Sequence, residues 1–404
     1  MKTAVLAAAV ALALTAAVLA ADTPVPTFAK DVAPIFYKSC VECHRPTMFA
    51  PMSLVTYDDA RPWARSIKQR VVARAMPPWG ADAPHGVFKN DPTLTADEID
   101  TIARWVDGGA PKGDDNDLPA LPPFAEGWTI GKPDAVFTME EEFSIPAEGA
   151  IPYQYLRVPT HLTEDKWIQA IEIRPGAAAQ VHHVIAFTQP AGSPVSGNGV
   201  LGPTNIGGTT PNKPGIRYPD GVARLLRGNS DIILQMHYTT NGKATSDRTR
   251  VGIIYATQAP AKIAAGGMVL QPRFVIPAYD GNAEVKGTTK LQRDTLVMTL
   301  TPHMHVRGKD MIYIAHYPDG TSETLLSVPK YDFNWQITYE LAKPKVLPKG
   351  TEVEVIAHYD NSASNKYNPD PSKDVRWGDQ TWEEMMIGFF GVVVDRPVVA
   401  TPQP

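Results

Sequence analysis

Beyond Trp128 the apolar and polar positions alternate in short runs: Trp167–Ile173, Val181–Phe187, Ile232–Tyr238, Val251–Tyr255, Thr295–Leu300, Met311–Tyr317 and Val353–His358. Successive side chains of a strand point to opposite faces, so these runs predict strands with one buried face. Turn residues separate them, the pattern of antiparallel sandwiches. The stretch is about 275 residues, too long for one small sandwich, and predicts two in tandem, over 126–258 and 259–404. Upstream the period changes. Trp63, Ile67 and Val71 lie at steps of four within 57–73, an amphipathic helical stripe. Leu94-Thr95-Ala96-Asp97-Glu98 predicts a capped helix start, with Thr95 at the N-cap and Glu98 three residues on. The helix Ile99–Val106 then stops at Gly108-Gly109. The expected class is multidomain: a small all-α domain over 22–112, an Asp- and Pro-rich linker over 113–125, and two tandem antiparallel β-sandwiches of jelly-roll type.

The first 21 residues fall outside this plan. Lys2 precedes an apolar run from Thr3 to Leu19, and Val18-Leu19-Ala20 fits a small-residue cleavage site. This predicts an export signal and a periplasmic or secreted protein. No other stretch approaches the roughly 18 apolar residues of a membrane helix, so no span is expected in the mature chain. Charge changes the picture little. The net charge is −5 and no Lys/Arg-rich block is present, which argues against a nucleic-acid partner. Proline outnumbers glycine, 38 to 30, consistent with short strands and turns.

Cysteine changes it most. The chain has two, Cys40 and Cys43, so no disulfide framework is available. Cys40-Val41-Glu42-Cys43-His44 is the pattern of c-type haem attachment. Two thiols about one helical turn apart can each form a thioether with one vinyl group, and His44 then reaches the iron. The competing reading, half a zinc site, lacks a second cysteine pair. The segment resembles a class I cytochrome c domain. Met48, Met52, Met76 and His85 all lie within reach in sequence as the sixth iron ligand. Met76 is favoured, because Pro77-Pro78 stiffen the loop that carries it. A His/Met pair suits electron transfer at relatively high potential.

Eight of the ten histidines follow the linker. His182 and His183 are adjacent within a strand. Their side chains should therefore point apart, unless a local bulge or mixed Nδ1/Nε2 ligation brings both to one metal. His237 lies in Gln235-Met236-His237-Tyr238, also a strand. His303 and His305 are two apart and share a face. Imidazoles combined with methionine are a copper-binding set in a cysteine-poor chain. The remaining His85, His161 and His316 read as structural, and His358 as structural or as a support to the metal ligands.

Taken in order, His182-His183, Gln235-Met236-His237-Tyr238, His303-Met304-His305 and Trp382-Glu383-Glu384-Met385-Met386 resemble the type II copper, ascorbate-dependent monooxygenases. That family includes peptidylglycine α-hydroxylating monooxygenase and dopamine β-monooxygenase, and the resemblance runs over roughly 126–400. It implies two coppers. His182, His183 and His237 would hold an electron-transfer copper; His303, His305 and Met385 would hold the oxygen-activating one. It also implies hydroxylation of a C–H bond of a small-molecule substrate with O2. The electrons would come from an ascorbate-like reductant or a redox protein, here through the covalent haem. The chain departs from the family in lacking its cross-linking cysteines. Thr301-Pro302 and Ile387-Gly388-Phe389 stand where the peptide-hydroxylating members hold a substrate carboxylate, so an apolar or neutral substrate is expected. The rival readings are a non-catalytic haem/copper electron-transfer or copper-handling protein, and a gas-sensing haem protein.

The haem assignment is tested by Cys40→Ala with Cys43→Ala. The double variant should lose all covalently bound haem, read as haem-associated absorbance or peroxidase stain on a denaturing gel. Covalent haem that survives both changes would remove the assignment.

Overall fold

The computed structural model describes residues 24–46, 48, 50–82, 85–124, 127–202, 204–209 and 215–395. The expected export signal, residues 1–21, lies outside them. The chain divides into two compact units. One holds the chain up to Pro46 with Met52–Pro77 and Leu94–Pro122. The other holds Thr47–Pro51, Pro78–Thr93 and everything from Pro123.

In the first unit the helical segments are short: Ala33–Ser39, Tyr57–Ala60, Ala64–Val72 and Ala96–Asp107, with a π-turn at Phe28–Val32 and a 3-10 turn at Arg61–Trp63. The last helix starts as its sequence predicts. Thr95 Oγ1 accepts the Glu98 N–H and the Glu98 carboxylate accepts the Thr95 N–H, satisfying two donors the first turn leaves open. The predicted stripe over 57–73 is corrected at one position. Pro62 sits in the 3-10 turn, the change of pitch rotates Trp63 off the face, and Trp63 is 44% exposed while Ile67 and Val71 are buried. The core gathers Phe28, Phe36, Ile102 and Trp105, with edge-on ring pairs between Phe36 and both Phe28 and Trp105.

The second unit is built on one nine-stranded sheet. Its main path runs Ala135–Thr138, Arg250–Tyr255, Lys166–Arg174, Val222–Leu226, Lys262–Leu270, Ile387–Asp395, Thr295–His303, Tyr339–Leu347. Two two-stranded ribbons and two four-stranded sheets accompany it. One four-stranded sheet orders Gln154–Val158, Ser230–Tyr238, Val181–Pro190 and Asn205–Thr209; the other orders Ala283–Lys290, Glu352–Tyr359, Gly308–His316 and Ser322–Val328. Alternation along the strands buries one apolar core against each. The first contains Ile168, Ile171, Leu234 and Ile253. The second contains Val297, Tyr313, Val355 and Met386.

This corrects the expected fold class of an all-α cytochrome c domain followed by two tandem sandwiches. Strands make up 38% of the structure and the helices are few and short. The described residues of 78–93, expected within the helical domain, carry no helix and run beside the strand Tyr339–Leu347. The Lys89 N–H donates to the Glu340 carbonyl at 2.9 Å and the Ala342 N–H to Val87 at 2.8 Å. Trp79 and Phe88 pack on Tyr339 at 4.8 and 5.4 Å between ring centroids. Their aromatic bulk is better buried on a sheet than on a short helix. Nor do the two β cores stand as separate sandwiches. Val222–Leu226 pairs in parallel with Lys262–Leu270, through Lys262 with Val222 and Ile263 with Ala223. The pairing satisfies edge groups that two independent sandwiches would leave open, and it joins the halves into one sheet. No helix among the described residues is long and apolar enough to cross a membrane.

Candidate metal centre

The second unit brings five histidines together. His182 and His183 lie at the start of the strand Val181–Pro190, which pairs with Ser230–Tyr238. The register slips between Val181, opposite Tyr238, and His183, opposite His237. His182 is therefore the extra residue of a bulge, which turns two adjacent side chains to one side. The three Nδ1 atoms converge, with His182 to His183 at 3.0 Å and His182 to His237 at 3.2 Å, and the three side chains form a group whose ligand atoms lie within 4.8 Å of one another. Tyr153 lies edge-on to His237 at 4.9 Å and to His183 at 5.8 Å.

Three nitrogens so close cannot all carry protons. Burial lowers all three imidazoles, His182 to about 4 and His237 to about 3, with repulsion from neighbouring histidines adding to the effect. At neutral pH the group is uncharged, the form that binds a metal. The carbonyls of Asn334 and Phe333 face the His182 ring, yet its buried Nε2 forms no hydrogen bond.

His303 ends the strand Thr295–His303, and His305 lies just beyond it. Their ring centroids are 5.4 Å apart and the rings nearly perpendicular. Each has its Nδ1 proton engaged: His303 donates to Gln336 Oε1 at 2.7 Å and His305 to the Glu383 carbonyl at 3.1 Å. Both acceptors lack a proton, so Nε2 of each ring carries the free lone pair. The His305 Nε2 is buried with no partner, and burial lowers that imidazole to about 3. The Glu384 carboxylate holds the loop that carries it. It accepts the His305 and Arg307 backbone N–H groups, each at 2.8 Å. Burial pushes this carboxyl up to about 8, against those donors and the Arg307 charge. Arg307 is buried too and donates to Asn361 Oδ1 at 2.9 Å and to the Trp382 carbonyl at 3.0 Å.

The two adjacent methionines separate. Met385 lines a cavity of about 200 Å³ together with His183 and His303, whereas Met386 lies in the second apolar core. Ile185, Ile387 and Phe389 give the cavity an apolar wall. Its described lining includes no Lys or Arg, and its acidic group is Asp379. One histidine of each set thus lines the cavity, and the His183 and His303 ring centroids are 6.3 Å apart.

In the first unit, Cys40 caps the helix Ala33–Ser39, and its carbonyl accepts the Cys43 N–H at 3.2 Å and the His44 N–H at 2.9 Å. The motif therefore closes into one turn. His44 donates its Nδ1 proton to the Met52 carbonyl at 3.1 Å, leaving the lone pair on Nε2. Burial pushes the Cys40 thiol up to about 12 and the Cys43 thiol up to about 11, so neither is a reactive thiolate. Met76 follows the helix Ala64–Val72, half-buried, with its N–H bound to the Arg70 carbonyl. His316 and His358 pair with carboxylates, Glu354 at 2.8 Å and Asp310 at 2.6 Å, away from both sets. Sequence reasoning missed Tyr153, Phe333, Gln336 and the Glu384 clamp. No His, Cys or Met marks the 331–336 turn, and only its aromatic run, Tyr331, Phe333 and Trp335, sets it apart from other loops.

No family model and no curated protein matches the chain. Among solved structures, the major capsid protein P2 of bacteriophage PM2 aligns with 66% of this chain and 99% of its own, at 8% identity and a TM-score of 0.27. The infectious bursal disease virus VP2 subviral particle covers 66% and 79%, at 10% identity and 0.17. Allantoicase covers 54% and 81%, at 9% identity and 0.16. At these TM-scores the likenesses carry no argument about fold or activity.

The lowered imidazoles fix the sign of a pH effect. A histidine bound at about 4 when folded and 6.5 when unfolded takes up protons first in the unfolded chain, so its contribution to stability is lost as pH falls from about 6.5 towards 4. Glu384, raised, works the other way between 4.5 and about 8. The comparison is therefore made between the metal-free parent and His182→Gln. The melting temperature of the parent should fall more steeply below pH 6.5 than that of the variant. Parallel profiles would contradict the buried, neutral state of His182.

Proposed function

We propose that this chain is an exported copper-dependent monooxygenase that hydroxylates a C–H bond of a small molecule with O2, receiving electrons through a c-type haem attached at Cys40 and Cys43. The observation that carries the reading is a cavity lined together by His183, His303 and Met385, with the Nε2 of His305, the neighbour of His303, buried and without a hydrogen bond. A buried polar atom without a partner costs stability, and a ligand there offsets the cost. His182, His183 and His237 would hold one copper through Nδ1, and His303, His305 and Met385 the other through two Nε2 atoms and a thioether. Copper in these sites supplies one-electron transfer and activation of O2, with the thioether favouring Cu(I).

The chain's own residues do the rest. Gln336 and the Glu383 carbonyl fix the tautomers of His303 and His305. Glu384 holds the backbone between them and Arg307. Ile185, Ile387 and Phe389 keep the cavity wall apolar, which limits water at the reacting C–H bond. A lining without Lys or Arg disfavours a carboxylate substrate, and the volume suits a small one. His44 and Met76 would hold the iron of that haem. A protein that only carries copper has no use for such a cavity, which sets the non-catalytic alternative behind this reading.

The test is isotopic. The reduced protein is given 18O2 and a panel of small neutral and apolar compounds. Hydroxylated product carrying the label is expected, abolished by Met385→Ala and retained at reduced level by Met386→Ala, the latter with a stability loss of about 2–5 kcal/mol for a truncated core methionine. Reoxidation by O2 without labelled product would favour the electron-transfer alternative.

A further inference from the structure

One short segment touches both histidine sets. The Phe333 ring stacks on His182 with centroids 5.0 Å apart and 21° between planes, and lies 5.9 Å from His237 and 6.2 Å from His305. Two residues before it, the Tyr331 hydroxyl donates to the Met304 carbonyl at 2.7 Å and accepts the Met304 N–H at 3.1 Å. That grips the residue between His303 and His305. Three residues after it, Gln336 Oε1 takes the His303 Nδ1 proton. The turn is also braced internally. Asp332 Oδ1 accepts both the Asn334 N–H and its side-chain amide at 2.9 Å, and the Trp335 N–H donates to the Asp332 carbonyl at 2.9 Å.

We infer that the segment 331–336 is a positioning element that couples metal binding at the two histidine sets: a copper ion held by His182, His183 and His237 raises the affinity of His303, His305 and Met385 for theirs. The inference rests on the copper reading of the site. Its basis is ordering. A metal on the first set fixes the His182 and His237 rings, and those rings are two of the walls against which Phe333 packs. The braced turn passes that fixation to Tyr331 and Gln336, which set the Met304 backbone and the His303 ring. Part of the ordering cost is then met once for both sites, which gives positive coupling without a change of fold. Repulsion between two cations acts through space and is the same with or without the Phe333 ring. Truncating the ring therefore isolates the share carried by the segment.

The measurement is Cu(I) affinity, by competition with a chromophoric chelator. The affinity of the second set is compared with the first set loaded and with the first set disabled by His237→Ala. The same pair is then measured in a Phe333→Ala background. The ratio of the two affinities should fall by about fivefold or more when Phe333 is truncated, the lower end of ordinary coupling between sites. Phe333→Leu, which keeps the bulk and loses the planar stack, replaces the alanine if that variant does not fold, and should move the ratio in the same direction. A ratio that stays at the parent value in the folded variants overturns the inference while leaving the copper reading intact. A parent chain that binds no Cu(I) at either set overturns both.

Discussion

An imidazole taken out of water must still satisfy its N–H, and its other nitrogen then holds a lone pair that nothing apolar can meet. The second unit gathers five such rings, four of them buried and one of each set on a shared cavity, and much of the local structure follows from that constraint. A bulge exists at His182 because two adjacent residues must face one way. Gln336 and the Glu383 carbonyl stand where they do because each takes one ring proton. Glu384 is buried, at a cost to its charge, because its two oxygens hold the backbone that aims His305. What remains after these arrangements is a set of imidazole lone pairs of the kind that could hold a metal ion.

The strands were legible because alternation is a local signal. Each of the seven runs lies within or across an observed strand, such as Lys166–Arg174 and Ser230–Tyr238. The capped start at Thr95 was legible for the same reason. The adjacency of His182 and His183 posed a geometric problem that only a bulge or mixed ligation could answer, and the structure has the bulge. The joining of the two halves was not legible. It depends on Val222 and Ala223 pairing with Lys262 and Ile263, a register that no periodicity announces. The 78–93 segment misled because its Trp79 and Phe88 find their partner in Tyr339, some 250 residues along the chain.

The candidate centre shows the same division. Its histidines stand out by residue type and spacing. The residues that orient them do not: Gln336 and Phe333 are ordinary in sequence and acquire a role only through contact. The Cys-x-x-Cys-His segment proposed to carry haem is the converse case, since Cys40, Cys43 and His44 stand out in five residues, and the fold adds the Met52 carbonyl that sets the His44 tautomer.

Metal content tests the central claim most directly. The full chain, produced with export and haem maturation and then loaded with copper, should contain one iron and two coppers per chain by elemental analysis, with copper falling to one in His237→Ala and in His303→Ala. Zinc in place of copper, or copper unchanged by both substitutions, would contradict the account.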